Sequence, residues 1–172
     1  MGKILLILIF AIFVIGCTKT EEVPDAVKNL ERFKYVTIEH PNTKAPSFTL
    51  SDENGNKFTD QDLKGRIYII QGFTPGCSSC AREISTLKDV YEKFKGKNLE
   101  IISIDIGSND INGAIDTKER FDGGDWIWTF DSDDVAIKLE MKTLESTYII
   151  DKEGVIRYKD ESLSDLKTLS QE

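Results

Sequence analysis

The residues best suited to chemistry are two cysteines, Cys77 and Cys80, separated by Ser78 and Ser79. They fall between an apolar run, Ile67-Tyr68-Ile69-Ile70, and a stretch in which Ile84, Leu87, Val90, Tyr91 and Phe94 recur at three- and four-residue steps. That pattern reads as a strand buried on both faces, then an amphipathic helix running to about Lys95 and stopped by Gly96. A cysteine at such a junction meets the unpaired N–H groups of the first helical turn and the positive end of the helix dipole. Both favour the thiolate, which is the nucleophilic form. A cysteine three residues further on can attack a mixed disulfide formed at the first and release the reduced partner. Cys77 is therefore expected to attack and Cys80 to resolve.

Three plainer uses of the pair compete with this one. A structural disulfide across two residues closes a very small loop and adds little through chain entropy. Half of a zinc site would lack its remaining ligands, because the chain has three cysteines and one histidine, His40. An inert buried pair sits poorly at a strand–helix junction. No cofactor and no resident metal are expected.

The elements that must hold the pair are legible around it. Leu99–Ile106 is a second buried-strand run, so 67–106 reads as a βαβ unit with parallel strands. Asn54-Gly55 between Phe48-Thr49-Leu50 and Lys57-Phe58-Thr59 marks a hairpin, and Asp151–Gly154 between Thr147–Ile150 and Val155–Tyr158 marks another. Short helices are expected over Ala114–Phe121 and Asp133–Lys142, a strand over Trp126–Phe130, and a closing amphipathic helix through Leu163, Leu166 and Leu169. The sum is an α/β fold with a mixed central sheet flanked by helices. Asp105, at a strand exit, is expected to be a solvated carboxylate rather than a proton relay for Cys80. Trp126 and Trp128 are expected to pack, and Asp131, Asp133 and Asp134 to gather at a helix start.

The chain of 172 residues is 40% hydrophobic with a net charge of −8, enough for one domain with a real core. That charge argues against nucleic-acid binding through phosphate contacts.

From about Ala45 onward the sequence resembles the thioredoxin-fold TlpA/ResA-like thiol-disulfide oxidoreductases, within the wider redoxin (AhpC/TSA) group. Ala45-Pro46-Ser47-Phe48-Thr49-Leu50 is similar to the opening "APxFxL" strand of that family. Cys77–Cys80 with Glu83 matches its Cys-x-x-Cys helix, and Ser146–Gly154 resembles its "TTFLIDxxG" hairpin. The resemblance implies a thioredoxin fold, a redox-active Cys77/Cys80 pair, and exchange of disulfides with partner proteins, the electrons coming from a thiol or membrane donor. Three positions depart from the pattern. Gly76 replaces a tryptophan before the first cysteine, and Ser85 replaces a helix proline. Glu145 replaces the cis-proline that faces the cysteines. A non-proline cis bond costs about 2.5–4 kcal/mol, so this peptide is expected to be trans. Thr74 and Glu145 are the residues placed to modulate the pair. Either Glu145 points away, or its charge makes Cys77 a less acidic nucleophile.

Two other activities are weighed. Thr74-Pro75-Gly76-Cys77 resembles part of the peroxiredoxin motif, but the proline of that motif falls at Ile70 and its arginine at Glu145. A Cu(I) carrier would use the two soft thiolates, but relatives of that kind have a longer cysteine spacing and a late histidine.

Residues 1–16 read as a secretion signal: Lys3 precedes twelve apolar residues, Ile4–Ile15, too few for a comfortable membrane span. Val14-Ile15-Gly16-Cys17 resembles the lipobox of secreted lipoproteins, which implies a lipid anchor on Cys17 and leaves one cysteine pair. Residues 17–34 then read as a tether with a short helix, and 35–172 as the thioredoxin-like domain. The expected location is extracytoplasmic, where disulfides persist.

Overall fold

The computed structural model describes residues 41–160. Cys17, the leader, the tether and the closing helix lie outside them. The elements in order are β1 (Thr43–Lys44), β2 (Thr49–Ser51), β3 (Lys57–Thr59), β4 (Ile67–Phe73), α1 (Cys80–Phe94), β5 (Leu99–Asp105), α2 (Asn112–Arg120), β6 (Ile127–Phe130), α3 (Val135–Lys138), β7 (Ser146–Ile150) and β8 (Val155–Asp160). A single 3₁₀ turn, Asp60–Leu63, follows β3.

Six strands form one mixed sheet in the order β1-β8-β7-β4-β5-β6, and β2 and β3 form a separate hairpin. β4 pairs in parallel with β5, which pairs in parallel with β6, while β7 runs antiparallel to β4. The expected βαβ unit and both hairpins are therefore present. β1, which adds a short edge to β8, carries no periodic signal in its two residues.

The central strands are buried on both faces because each supplies apolar side chains to two clusters. Ile69 and Phe73 of β4, Ile101 of β5 and Ile149 of β7 face α1, whose Ile84, Leu87 and Val90 pack on them. Tyr68, Ile70, Ile102, Ile104, Tyr148 and Ile150 point the other way, toward Leu50, Val135 and Leu139. This alternation is the period of two that a strand imposes. α1 buries Cys80, Glu83, Ile84, Leu87 and Val90, a stripe at helical spacing, and Gly96 beyond its end takes the left-handed φ of +76°.

Two expectations are corrected. The helix expected over Asp133–Lys142 is one turn, Val135–Lys138, bounded by left-handed backbone at Asp134 and Glu140. Asp131 caps it by accepting the N–H groups of Val135 and Ala136. Asp105 is fully buried rather than solvated. Its Oδ1 accepts the amides of Gly107 and Ser108, and its Oδ2 has no hydrogen-bond partner among the described residues. That carboxylate lies under the first turn of α2, where a Cβ on Gly113 would come within 2.2 Å of Oδ2 and 2.8 Å of Pro75 Cγ. The loop before Cys77 thus rests on Gly113 and Asp105. Gly113→Ala is expected to destabilise the protein by about 1–3 kcal/mol through overpacking, measured by chemical denaturation, although alanine is the better helix former.

Candidate functional site

β4 ends at Phe73, and Thr74–Ser79 turns the chain into α1. The amide of Cys77 donates to the Thr74 carbonyl (3.2 Å), and Gly76 takes a φ of +80°, which a side chain would strain. Cys77 therefore stands just ahead of the helix and Cys80 is its first residue. The amide of Cys80 donates to Cys77 Sγ at 3.2 Å, so the sulfur takes the place of a helix-capping oxygen. Ser79 Oγ lies 3.3 Å from the same sulfur. These donors, with the helix dipole, favour charge on Cys77 once the pair is reduced. Cys77 and Cys80 are joined by a disulfide. Cys77 is partly exposed and Cys80 is fully buried, so a partner reaches the first sulfur before the second.

Glu145 occupies the loop entering β7 and faces the pair. Its Oε1 lies 3.7 Å from Cys77 Sγ, and the Leu144 carbonyl oxygen lies 3.8 Å from Cys80 Sγ. Every peptide bond among the described residues is trans, in keeping with glutamate in place of proline. Partial burial raises the Glu145 pKa above the ordinary carboxyl range, and the charge of Arg82 opposes that rise. Thr74 turns its side chain toward Gly107, where its Cγ2 fills the space a Cβ would take. Of the two expected modulators, Glu145 meets the cysteines through its side chain, and Thr74 through the backbone bond to Cys77.

One group outside the original pair of modulators matters as much. Glu83, the third residue after Cys80, is fully buried, and burial raises its pKa to about 7 despite hydrogen bonds from Thr147 and Gln71. Gln71 Nε2 donates to Glu83 Oε2 (3.2 Å), and Thr147 Oγ1 donates to Oε1. Ser103 Oγ donates to Gln71 Oε1 (2.7 Å), and Trp126 Nε1 donates to Ser103 Oγ (2.9 Å). The register explains this row: Gln71 pairs with Ser103 on one side and with Thr147 on the other, so three polar side chains line up beneath α1. Its trace in the sequence is a polar residue in each of three strands, Gln71, Ser103 and Thr147, at a position facing the helix. Only the register brings the three together.

A thioredoxin-like fold with a Cys-x-x-Cys disulfide at the start of its first long helix is the class these features define. Residues 41–159 match the AhpC/TSA family, and the chain belongs to it. It is 27% identical over 113 residues to thiol-disulfide oxidoreductase ResA of Bacillus subtilis, covering 65% of this chain and 62% of that protein. It is 34% identical over 68 residues to ResA of Bacillus thuringiensis, covering 40% of this chain and 39% of that one. The matched region thus spans about three-fifths or less of these curated relatives. Among solved structures, a thioredoxin-family thiol:disulfide interchange protein from Chlorobium tepidum superposes with a TM-score of 0.67 at 16% identity, covering 77% of this chain and 94% of the other. The thioredoxin domain of a thiol-disulfide oxidoreductase from Bacteroides vulgatus gives 0.66 at 24%, covering 76% and 95%.

Two predictions follow from the carboxyls. The folded pKa of Glu83, about 7, lies above its ordinary 4.5, so between these values the native state holds a proton that the unfolded chain has lost. Stability is therefore expected to fall as pH rises through that window, by on the order of 3 kcal/mol from this group. Denaturation of Glu83→Gln and the parent at pH 5 and pH 8 should show a smaller pH-dependent loss in the variant. Glu145→Gln removes a negative charge beside Cys77 and should speed alkylation of the reduced protein at neutral pH, where Glu145 is ionised, by about fivefold.

Proposed function

We propose that this domain is the exchange unit of an extracytoplasmic thiol-disulfide oxidoreductase that acts on disulfides of other proteins as a reductant, held at a membrane by a lipid on Cys17. The observation that carries the reading is the Cys77–Cys80 disulfide at a helix start, with one sulfur reachable and the other sealed. In the reduced protein the Cys77 thiolate attacks a substrate disulfide, forming a mixed disulfide and expelling one substrate thiolate. Cys80 then loses its proton and attacks Cys77 Sγ. The internal disulfide forms, the second substrate thiol leaves, and two electrons have passed to the substrate. Glu83, one turn along the same helix, is the buried group whose pKa suits it to accept the Cys80 proton.

The resemblance of Thr74-Pro75-Gly76-Cys77 to part of the peroxiredoxin motif keeps a thiol peroxidase as the second reading. Glu145 weighs against it, because a carboxylate stands where a cation would be needed beside the attacking sulfur. The Cu(I)-carrier reading has no histidine to draw on among the described residues. Extracytoplasmic anchoring rests on the lipobox-like segment; no helix among the described residues is long and apolar enough to cross a membrane.

Cys77→Ser should abolish reduction of a protein disulfide such as that of insulin, whereas Cys80→Ser should accumulate mixed disulfides seen on non-reducing gels. A glutathione redox titration should give a potential near thioredoxin's, around −270 mV; a strongly oxidising value would reverse the direction of transfer. Full exchange activity in Cys77→Ser would overturn the reading.

A further inference from the structure

Glu145 does more than perturb Cys77: it sets a third potential ligand atom beside the two sulfurs. Cys77 Sγ, Cys80 Sγ and a Glu145 carboxylate oxygen all lie within 4.8 Å of one another. Zinc bound tetrahedrally at about 2.3 Å from sulfur and about 2.0 Å from oxygen requires a sulfur–oxygen separation of about 3.5 Å. Cys77 Sγ and Glu145 Oε1 are already 3.7 Å apart. Once the disulfide is reduced, the two sulfurs need only part to the width of one metal ion, a spacing that two cysteines three residues apart supply at many zinc sites. The amide of Cys80, aimed at Cys77 Sγ, then serves as an outer hydrogen bond to a thiolate ligand.

We propose that the reduced site binds a single divalent zinc-class ion through Cys77, Cys80 and Glu145, with the fourth position open on the exposed side of Cys77. Nothing in the counts of cysteine and histidine points to this site, because its third ligand is a carboxylate brought in by the loop before β7. The chemistry selects the ion. Two thiolates alone satisfy Cu(I), a soft ion that gains little from an oxygen ligand, whereas Zn(II) accepts sulfur and carboxylate together. Binding takes two thiols and one carboxylate, releases two protons and leaves a site charge of −1, with Arg82 as the nearby cation acting on Glu145. No electrons move. Metal and disulfide exclude each other, so the zinc form is a reduced form with its nucleophile occupied.

The inference uses the same cysteines as the exchange reaction but does not depend on their exchanging. The full chain, reduced anaerobically and freed of reductant, would be titrated with Zn2+ against a chromophoric chelator, and with Co2+ as a spectroscopic substitute. The expected result is one ion per reduced chain, none per oxidised chain, and bands of a tetrahedral sulfur-ligated site with Co2+. Glu145→Gln should weaken zinc by about tenfold or more and change the Co2+ bands, while leaving Cu(I) binding unaltered. No zinc uptake by the reduced chain, or equal affinity in Glu145→Gln, would overturn the proposal. Glu145→Asp, which keeps the carboxylate, should retain Co2+ bands that Glu145→Gln loses, which separates loss of a ligand from loss of fold. A metal-free glutathione titration on the same sample tests exchange separately, so a chain that exchanges disulfides but takes up no zinc refutes this inference alone.

Discussion

A carboxyl group sealed between a helix and a sheet constrains this structure more than any other single feature. Glu83 has no exposed surface, yet both of its oxygens accept hydrogen bonds. Leaving such a group unsatisfied would cost several kcal/mol, so the sheet beneath it must present polar side chains where apolar ones would otherwise pack. Thr147, Gln71 and Ser103 do so from three neighbouring strands, and they can only do so in one register. A slip of any one of these strands by one residue would turn its polar side chain to the opposite face and bring an apolar one beneath the helix. The carboxyl therefore ties the alignment of β7, β4 and β5 to the seating of α1, and hence to the place where the disulfide sits.

Above that row the two sulfurs occupy different environments although three residues separate them. Cys80 begins the helix and is enclosed; Cys77 precedes it and receives the helix's first free amide. The fold supplies attraction for negative charge on Cys77 from one side and repulsion from the other, where Glu145 stands at the position that the sequence resemblance gives to a proline. A proline would offer an apolar ring and no titratable group. Glutamate gives the site a charge, a hydrogen-bond acceptor and a metal ligand together, and these are the properties that set this chain apart from the pattern it otherwise follows.

Much of this is legible in the sequence, for physical reasons that differ by element. The strands at 67–73 and 99–105 and the helix between them announce themselves through apolar periodicity, because each must bury a continuous face. Both hairpins are marked by turn residues, Asn54-Gly55 and Asp151–Gly154. The spacing of Cys77 and Cys80 suggests an exchanging pair, and the family resemblance implies that the pair is redox-active. The sequence pattern overextends the one-turn helix at Val135–Lys138 because its apolar residues lack a single clean face, and the left-handed residues at its ends follow from no simple rule. Asp105 departs from the expectation that an aspartate at a strand exit is wet; here the start of α2 closes over it, which depends on the close approach that Gly113 allows. Glu83 could be placed on the helix, but its polar partners lie 12 to 64 residues away and meet only in three dimensions.

The polar row does not stop at the strands. It ends on the indole N–H of Trp126, which stacks on Trp128 with ring centroids 5.4 Å apart and meets Tyr91 edge-on at 5.6 Å. A proton gained or lost at Glu83 alters what Gln71 must donate, what Ser103 must donate in turn, and so the polarity felt by a buried indole. The row therefore joins a carboxyl hidden from solvent to a buried indole through only two intervening side chains, Gln71 and Ser103.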